Sequence, residues 1–389
     1  MAASSDVSTP RYDFLDWLRV LAIFVLLFFH TGMLFVGWDF HLMNAQTIPA
    51  LRLPMDISHR LRMPLLFIIA GASLWFSLAR HGALAVLRER AVRLLVPLAF
   101  GMFLIVPPQI YFERLSKHQW DGGYLQFWFQ KVLEFQPYPQ GNFSWHHLWF
   151  ILYLFIYAAA LLPLLVWWRR SRFAVRAGPW LYLGFLPLAI NEALLKPLFP
   201  ATHALIGDWY VFNHYLLFTA YGFALASSAD NWDWLSLWRY ASLGMALTLL
   251  IVALGLFETG TVERGGVFDA FIANAFTWCA LLAFLGFGRR YLSFSNGLLR
   301  WARDASYPVY ILHQTLIIAI AYYVIQQPWS PWIKYWIVLA GTVAGCVLGY
   351  QYVIRRSALT RLIFGMKAEK ARKVMAPGLP ESSSGLSSL

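Results

Sequence analysis

Between Asp16 and His30 the sequence reads DWLRVLAIFVLLFFH, an apolar run that has the character of a membrane span but contains Arg19 near its start and His30 at its end. At ~100° per residue, eleven steps bring both side chains to within about 20° of one helix face, ~16 Å apart along the axis. A guanidinium in hydrocarbon is costly, so we expect this face to point into the protein. If both residues are only structural, Arg19 pairs with Asp16 at i,i+3 and His30 is an interfacial histidine.

The composition indicates a membrane protein rather than an ordinary soluble domain. The chain has 389 residues, of which 59% are hydrophobic and only 13% are charged, far from the soluble average. Apolar runs of about 17–25 residues recur, and this is the length that an α-helix needs to cross a bilayer. We therefore predict an all-α, polytopic membrane protein whose partner is the lipid bilayer. The two cysteines, Cys279 and Cys346, lie inside apolar runs and are interpreted as reduced packing residues.

These runs predict about ten transmembrane helices. The spans are Phe14–Gly37, Met63–Ala79, Val92–Tyr111, His147–Trp168, Trp180–Phe199, Trp209–Ser227, Trp238–Phe257, Val267–Gly288, Ser306–Gln326 and Trp332–Ile354. The fifth is the weakest, because a proline and three polar residues interrupt it. The chain then divides into an amino-terminal segment (1–13), a transmembrane domain (14–354) and a basic, then disordered tail (355–389).

Lysine and arginine determine the predicted orientation. With a cytoplasmic amino terminus, 21 of the 31 basic residues fall on the cytoplasmic side, 9 on the other side, and Arg19 remains inside the first span. Cytoplasmic loops carry the excess of basic residues, so we predict that both termini are cytoplasmic. The same bias explains the net charge of +12 without a nucleic-acid partner.

Arginines cluster in the first cytoplasmic connection, which runs from Arg80 to Arg93. Arginine binds phosphates through paired N–H donors, so Arg88, Arg90 and Arg93 are candidates for holding an anionic cofactor. Arginines at these helix ends are also what the topology rule requires by itself. The sequence leaves both interpretations open.

Polar residues on the opposite side are candidates for contacting a second substrate. His59 and Arg62 are three residues apart and would share a helix face near His30, although they could also be an interfacial surface pair. His147 begins the fourth span, whereas His313 lies inside the ninth, where an unpartnered ring is costly. Either of these two histidines could be structural.

The external connection from residue 112 to residue 146 is rich in aromatic residues. Its spaced rings suit stacking on sugar rings as well as ordinary interfacial packing. They are Trp120, Tyr124, Trp128, Tyr138 and Trp145.

Several common catalytic motifs are absent from the sequence. There is no Walker-type glycine-rich loop, no Gly-x-Ser-x-Gly elbow, no His-Glu-x-x-His helix and no Cys-x-x-Cys pair. Nucleotide hydrolysis, serine hydrolysis and zinc proteolysis therefore lack their usual motifs. We predict no metal.

Five sequence blocks, in order, resemble the membrane acyltransferase-3 family. They are LDWLRVLA followed by His30, RMPLLFIIAG from Arg62, the Arg90–Arg93 segment leading into LLVP, HLWF from His147, and YPVYILH from Tyr307 to His313. The resemblance covers roughly residues 11 to 355. The family more often has serine where this chain has Ala70. The length and the HLWF block resemble most the branch that adds succinyl groups to osmoregulated periplasmic glucans.

The resemblance implies an O-acyltransferase of the bacterial inner membrane. Its co-substrate would be a cytoplasmic acyl-CoA, either succinyl-CoA or acetyl-CoA, and its acceptor a hydroxyl of a periplasmic glycan. His30 would be the general base, since a histidine of unperturbed pKa near 6.5 can accept a proton at neutral pH. Arg19 would orient the thioester or stabilise developing negative charge, and Asp16 would fix Arg19. Passage through an acyl-histidine is compatible with the sequence but not required by it.

Two further groups of residues complete the implied site. The cofactor would contact Arg88, Arg90, Arg93 and His313. The acceptor would contact His59, Arg62, Trp145 and His147.

Two alternatives come from other functional classes. The chain could be a transporter or flippase in which Arg19, His30, Glu192 and His313 line a pathway for an anionic solute or a lipid-linked sugar. It could also be a sensor or scaffold without chemistry. Acceptor-dependent consumption of acyl-CoA distinguishes the enzyme from both.

Overall fold

The computed structural model describes residues 12–171 and 173–366, and this part of the chain is helical and contains no β-strand. Its α-helices are α1 (Asp13–Met33), α2 (Arg52–Arg80), α3 (Ala83–Phe100), α4 (Pro107–Ser116), α5 (Tyr124–Phe127), α6 (Trp149–Ser171), α7 (Phe185–Leu195), α8 (Trp209–Leu225), α9 (Ala229–Glu258), α10 (Val267–Tyr291), α11 (Gly297–Val324), α12 (Pro331–Leu348) and α13 (Ala358–Ile363). Residues 1–11 and 367–389, which include most of the predicted amino-terminal segment and the predicted disordered tail, lie outside the described residues.

Within residues 12–171 and 173–366, eight helices are long and apolar enough to cross a membrane, and this confirms the all-α, polytopic fold. With the short 3₁₀ and π segments that extend some of them, they are Asp13–Met33, Pro49–Arg80, Ala83–Ser116, His146–Ser171, Ala229–Glu258, Val267–Tyr291, Gly297–Val324 and Pro331–Arg356. They coincide with eight of the ten predicted spans. The orientation of the termini stays a prediction.

The fifth and sixth predicted spans correspond to shorter helices. A 3₁₀ segment, Pro179–Gly184, leads into the eleven-residue α7, and α8 has 17 residues. Two polar side chains that weakened the fifth span are satisfied by neighbours: Asn191 donates to the Tyr210 carbonyl at 3.0 Å, and Glu192 accepts from Lys196 at 2.6 Å. Helix α7 packs against α8 and α10, and these two helices shield it.

Four helices, α2, α3, α9 and α11, begin nine or more residues before the predicted apolar runs. Helix α2 starts at Arg52 rather than Met63, and α11 starts at Gly297 rather than Ser306. The added turns contain charged residues, which lower hydropathy without interrupting the helix. The consequence for the site is that His59 and Arg62 lie on a helix, and that His313 lies sixteen residues inside one.

Helix α1 packs against α2, α10, α11 and α12, while its Leu21, Phe24 and Val25 remain exposed. It begins at the end of the bundle that holds Arg19, called here the Arg19 end, and finishes at the opposite end, called the His30 end. Both polar groups of α1 have protein partners, as expected for a face that points inward.

Helices α2 and α8 cross at very short range because each has a glycine at the contact. A Cβ atom on Gly71 would lie 1.9 Å from the Thr219 carbonyl oxygen, and one on Gly222 would lie 1.9 Å from that of Ile68. No larger residue fits at either position without moving backbone. The family-like block that ends in Gly71 therefore has a packing reason for its glycine.

Candidate active site

A pair of histidines from α1 and α11 forms the centre of the site. His30 Nδ1 lies 2.7 Å from His313 Nε2, and the two rings are nearly parallel with centroids 4.9 Å apart. His313 is completely buried, whereas His30 keeps partial exposure. The sequence predicts His313 as a cofactor contact together with the arginines. The structure places it against His30, and its role as a cofactor contact stays a prediction.

The hydrogen bonds around this pair fix which nitrogen of His30 is free to accept a proton. His313 Nδ1 lies 2.7 Å from the Tyr310 carbonyl oxygen, which can only accept, so this nitrogen carries a proton. In neutral His313, Nε2 is then the acceptor, and His30 Nδ1 donates to it. His30 Nε2 therefore holds the lone pair, and no hydrogen bond to it is found among residues 12–171 and 173–366.

His147 packs beside the His30–His313 pair. Its ring is perpendicular to that of His313, with centroids 5.3 Å apart. Its Nε2 donates to the Ile311 carbonyl at 3.0 Å, and its Nδ1 accepts from Gln109 at 3.3 Å. Both ring nitrogens are thus occupied within the protein, which favours a positioning role. Acceptor contact by His147 stays a prediction.

His59 and Arg62 share one face of α2, and both reach Phe29, the neighbour of His30. The His59 ring stacks on Phe29 with centroids 5.8 Å apart, and the Arg62 guanidinium carbon lies 3.4 Å from the centroid of the same ring. Arg62 is buried, whereas His59 is exposed to a cavity. Both residues therefore contact the residue that precedes His30 in α1.

A cavity of about 470 Å³ extends from this face of α2 between α7, α8, α9 and α10. Its polar side includes His59, Glu192, His203 and Asn274, and its apolar side comes mainly from α9. This volume lies in the range typical of small-molecule sites. Burial lowers the pKa of His203 to about 4, so this ring is neutral at physiological pH.

Trp145 lies at the rim of the same region. Its indole N–H donates to the His203 carbonyl at 3.0 Å, and the His203 ring packs on Trp149 with centroids 4.2 Å apart. Trp145 therefore positions the segment that carries His203. Direct stacking of Trp145 on an acceptor sugar stays a prediction.

At the Arg19 end, Arg19 and Asp16 form the ion pair that a purely structural role predicts. Arg19 NH2 lies 2.6 Å from Asp16 Oδ1, and Arg303 approaches the other carboxylate oxygen at 3.8 Å. Arg19 is close enough to Arg90 for electrostatic interaction. Because ~16 Å of helix axis separates Arg19 from His30, the two groups belong to opposite ends of any pathway through the bundle.

The three arginines predicted to bind the cofactor differ in their contacts. Arg88 is exposed, Arg90 donates to the Ser73 hydroxyl at 3.1 Å, and Arg93 donates to the Gly365 carbonyl at 3.1 Å and pairs with Glu89 at 3.3 Å. Arg88 and Arg90 thus retain donors for an anion. Arg93 is largely committed to holding the segment after α13.

Sequence reasoning missed a buried ionic cluster at the His30 end. His41 lies 2.5 Å from Glu113, which also accepts from Lys117 at 2.8 Å and from the Tyr138 hydroxyl at 3.1 Å. Burial and the nearby carboxylate raise the pKa of Tyr138 to about 12, so this phenol stays a donor. Glutamine side chains connect the cluster to the histidines: Gln314 lies 3.4 Å from His41 and donates to Gln109 at 3.1 Å.

Three members of this region carry atoms that could hold a metal ion. The ligand atoms of His41, Glu113 and His146 lie within 4.8 Å of one another. The Glu113 carboxylate already has hydrogen bonds from an imidazole, an ammonium group and a phenol, which satisfy its charge without a metal ion. We therefore assign this cluster to structure.

The aromatic rings of the external connection are mostly engaged in internal contacts. The Trp120 ring packs edge-on against Phe127, the Trp128 indole donates to the Phe103 carbonyl at 2.8 Å, and Tyr138 donates to Glu113. These contacts favour the packing interpretation over an exposed sugar platform.

A family model described as an acyltransferase domain matches residues 12–351 of the chain. The chain belongs to the acyltransferase-3 family. The match runs from the start of α1 to just past the end of α12, so it includes both histidines of the central pair and all the arginines discussed above. The multi-pass membrane fold agrees with this family assignment.

Proteins similar to this chain include glucans biosynthesis proteins C of Escherichia coli. The protein of strain K12 is 23% identical over 400 residues, covering 95% of this chain and 99% of the relative. The protein of strain O6:K15:H31 is 23% identical over 396 residues with the same coverage. No solved structure matches the chain. The acyltransferase-3 blocks quoted from the sequence fall on α1, α2, α3, α6 and α11, and four of these helices bring polar residues to the His30 end.

Proposed function

We propose that this membrane acyltransferase moves an acyl group, succinyl or acetyl, from acyl-CoA to a hydroxyl group of a periplasmic glucan. The observation that carries the proposal is the His30–His313 pair, because it leaves a proton-accepting nitrogen on a partly exposed ring inside the bundle. The glucan as acceptor comes from the printed name of the relatives. We further propose the bacterial inner membrane as location, with the Arg19 end in the cytoplasm.

Acyl transfer needs a base that removes the proton of the acceptor hydroxyl. His30 Nε2 accepts the hydroxyl proton as the hydroxyl oxygen bonds to the thioester carbonyl carbon. The positive charge that forms on His30 is shared with His313 through their hydrogen bond. When the carbon–sulfur bond breaks, the leaving thiolate takes the proton back from His30. A direct transfer of this kind balances without a covalent enzyme intermediate.

The Arg19 end fits the phosphates of coenzyme A. Arg88 and Arg90 have donors that are not used inside the protein, and Arg19 adds positive charge nearby. Arginine forks bind phosphate oxygens in pairs. Coenzyme A supplies an activated acyl thioester, whose acyl end would have to reach the His30 end along the inward face of α1.

The cavity beside α2 fits a sugar. It combines neutral His203, the His59 ring and the amide of Asn274 with an apolar wall. Planar rings and hydrogen-bonding groups together suit a sugar, which has both polar edges and apolar faces. We propose that a glucosyl unit of the acceptor enters here.

The decisive experiment measures acyl transfer by the purified protein in detergent or nanodiscs. Radiolabelled acetyl-CoA or succinyl-CoA is supplied with and without a periplasmic glucan fraction. The expected result is consumption of acyl-CoA only when glucan is present, with loss of turnover in His30→Ala. The matched control is His81→Ala, since His81 is exposed at the end of α2.

The competing transport function predicts a different result. Solute movement into liposomes without an acyl acceptor, together with no acyl transfer, would contradict the proposed activity. Full turnover in His30→Ala would contradict the assigned role of the histidine pair.

A further inference from the structure

Arg62 is a buried cation without an ionic partner. The residue is only 7% exposed, and its Nε and Nη1 atoms are buried without a hydrogen-bond acceptor. Across residues 12–171 and 173–366, its guanidinium lies 3.4 Å from the centroid of the Phe29 ring, and Tyr215 is close enough to interact with it electrostatically. A cation–π contact compensates only part of the lost hydration of a guanidinium. The free protein therefore carries an unsatisfied positive charge at this position.

This charge lies beside the proposed reaction centre. Phe29, on which Arg62 stacks, precedes His30 in α1, and Arg62 interacts electrostatically with His30 and His59. Arg19, the residue to which the sequence analysis gave the task of stabilising negative charge, is ~16 Å of helix axis away from His30 and pairs with Asp16. Arg62 is therefore much better placed than Arg19 to interact with negative charge near His30.

Acyl transfer creates such a charge. When the hydroxyl oxygen bonds to the thioester carbonyl carbon and its proton passes to His30 Nε2, the carbonyl π electrons move onto the carbonyl oxygen. The carbonyl re-forms as the carbon–sulfur bond breaks, and the thiolate departs with the proton. A cation that has no internal partner is available to this oxygen, and a low-dielectric site strengthens their attraction.

We infer that Arg62 stabilises the negatively charged carbonyl oxygen of the transferring acyl group. This inference rests on the proposed function and replaces two earlier predictions: charge stabilisation by Arg19 and acceptor binding by Arg62. Arg62 is thereby a catalytic residue, since it contacts a reacting atom. The positive charge of Arg62 is unsatisfied in the free protein and gains its interaction in the transition state.

The test compares Arg62→Met and Arg62→Lys with the wild type, using acetyl-CoA and succinyl-CoA as separate donors. We expect Arg62→Met to lower kcat about 100- to 1,000-fold with either donor, as when an oxyanion-hole donor is removed, with little change in the KM for glucan. Arg62→Lys should lose less, because it keeps the charge but not the fork. Arg52→Met is the control, since Arg52 is exposed and pairs with Asp56.

A second measurement does not depend on activity. In the absence of substrates, the Tm of Arg62→Met should exceed that of the wild type, because an uncompensated buried charge is replaced by an apolar side chain of similar length. A lower Tm would show that the guanidinium stabilises the free protein, and would overturn the inference while leaving the proposed function intact.

The kinetic outcomes separate the remaining explanations. Unchanged kcat overturns the inference, as does a defect confined to the KM for glucan, which would make Arg62 an acceptor contact. A defect confined to succinyl-CoA would also overturn it, since Arg62 would then bind the acyl carboxylate. A wild-type protein that transfers neither acyl group contradicts the proposed function and this role with it.

Discussion

Replacing His313 tests the central pair without touching the proposed base. In His313→Leu, His30 loses the acceptor 2.7 Å from its Nδ1, and the positive charge that forms on His30 is no longer shared. A hydrogen bond to a charged group contributes about 1.5–3 kcal/mol. At 1.36 kcal/mol per tenfold change in rate, kcat should fall about 10- to 150-fold. The KM for acyl-CoA should change little if His313 does not contact the cofactor.

A matched variant, His313→Gln, separates the hydrogen bond from the packing. The glutamine amide can present an oxygen near the position of His313 Nε2 and accept from His30. We expect it to recover most of the lost kcat, so that its defect stays below about tenfold. The assay is initial-rate acyl transfer with purified protein, with size-exclusion chromatography and thermal unfolding as folding controls.

Two results would refute this reasoning. Wild-type kcat in a folded His313→Leu protein would mean that the pair has no part in proton transfer. Equal losses in the leucine and glutamine variants would mean that the imidazole ring itself, rather than its acceptor nitrogen, is required.

Three other predictions concern helix packing, the phosphate site at the Arg19 end and the orientation in the membrane. Gly71→Ala should destabilise the protein by about 1–3 kcal/mol through overpacking, whereas Gly244→Ala, whose Cβ would meet nothing within 4 Å, should be neutral or stabilising; thermal unfolding in one detergent measures both. Arg88→Ala combined with Arg90→Ala should weaken acyl-CoA binding about tenfold or more and glucan binding less, by isothermal titration; equal losses would contradict an arginine site for phosphates. A reporter fused after Arg355 should read as cytoplasmic, and a periplasmic signal would reverse the proposed orientation.

The sequence predicted the features that depend on one helix. The eleven residues between Arg19 and His30 fix their common face through helix geometry alone, and both side chains do meet protein partners. Hydropathy found the eight long apolar helices. It shortened α2 and α11, because charged residues such as Arg62 and Arg303 reduce the hydropathy of turns that are nevertheless helical.

Features that depend on contacts between distant segments were not accessible. His30 and His313 are 283 positions apart, and nothing in either local pattern indicates that they touch. The same holds for His41 and Glu113, whose loop and helix meet only after the bundle has assembled. A charged residue such as Glu113 within an aromatic, proline-containing stretch was a weak signal for a buried ion cluster, and the sequence analysis did not use it.

The carbonyl of Tyr310 has a consequence for how such a site can evolve. The direction in which the two imidazoles pass a proton is fixed by a main-chain oxygen, and no mutation of the residue at that position can delete a main-chain oxygen. Substitutions of the surrounding side chains can therefore accumulate while the helix backbone keeps the tautomer of His313 unchanged.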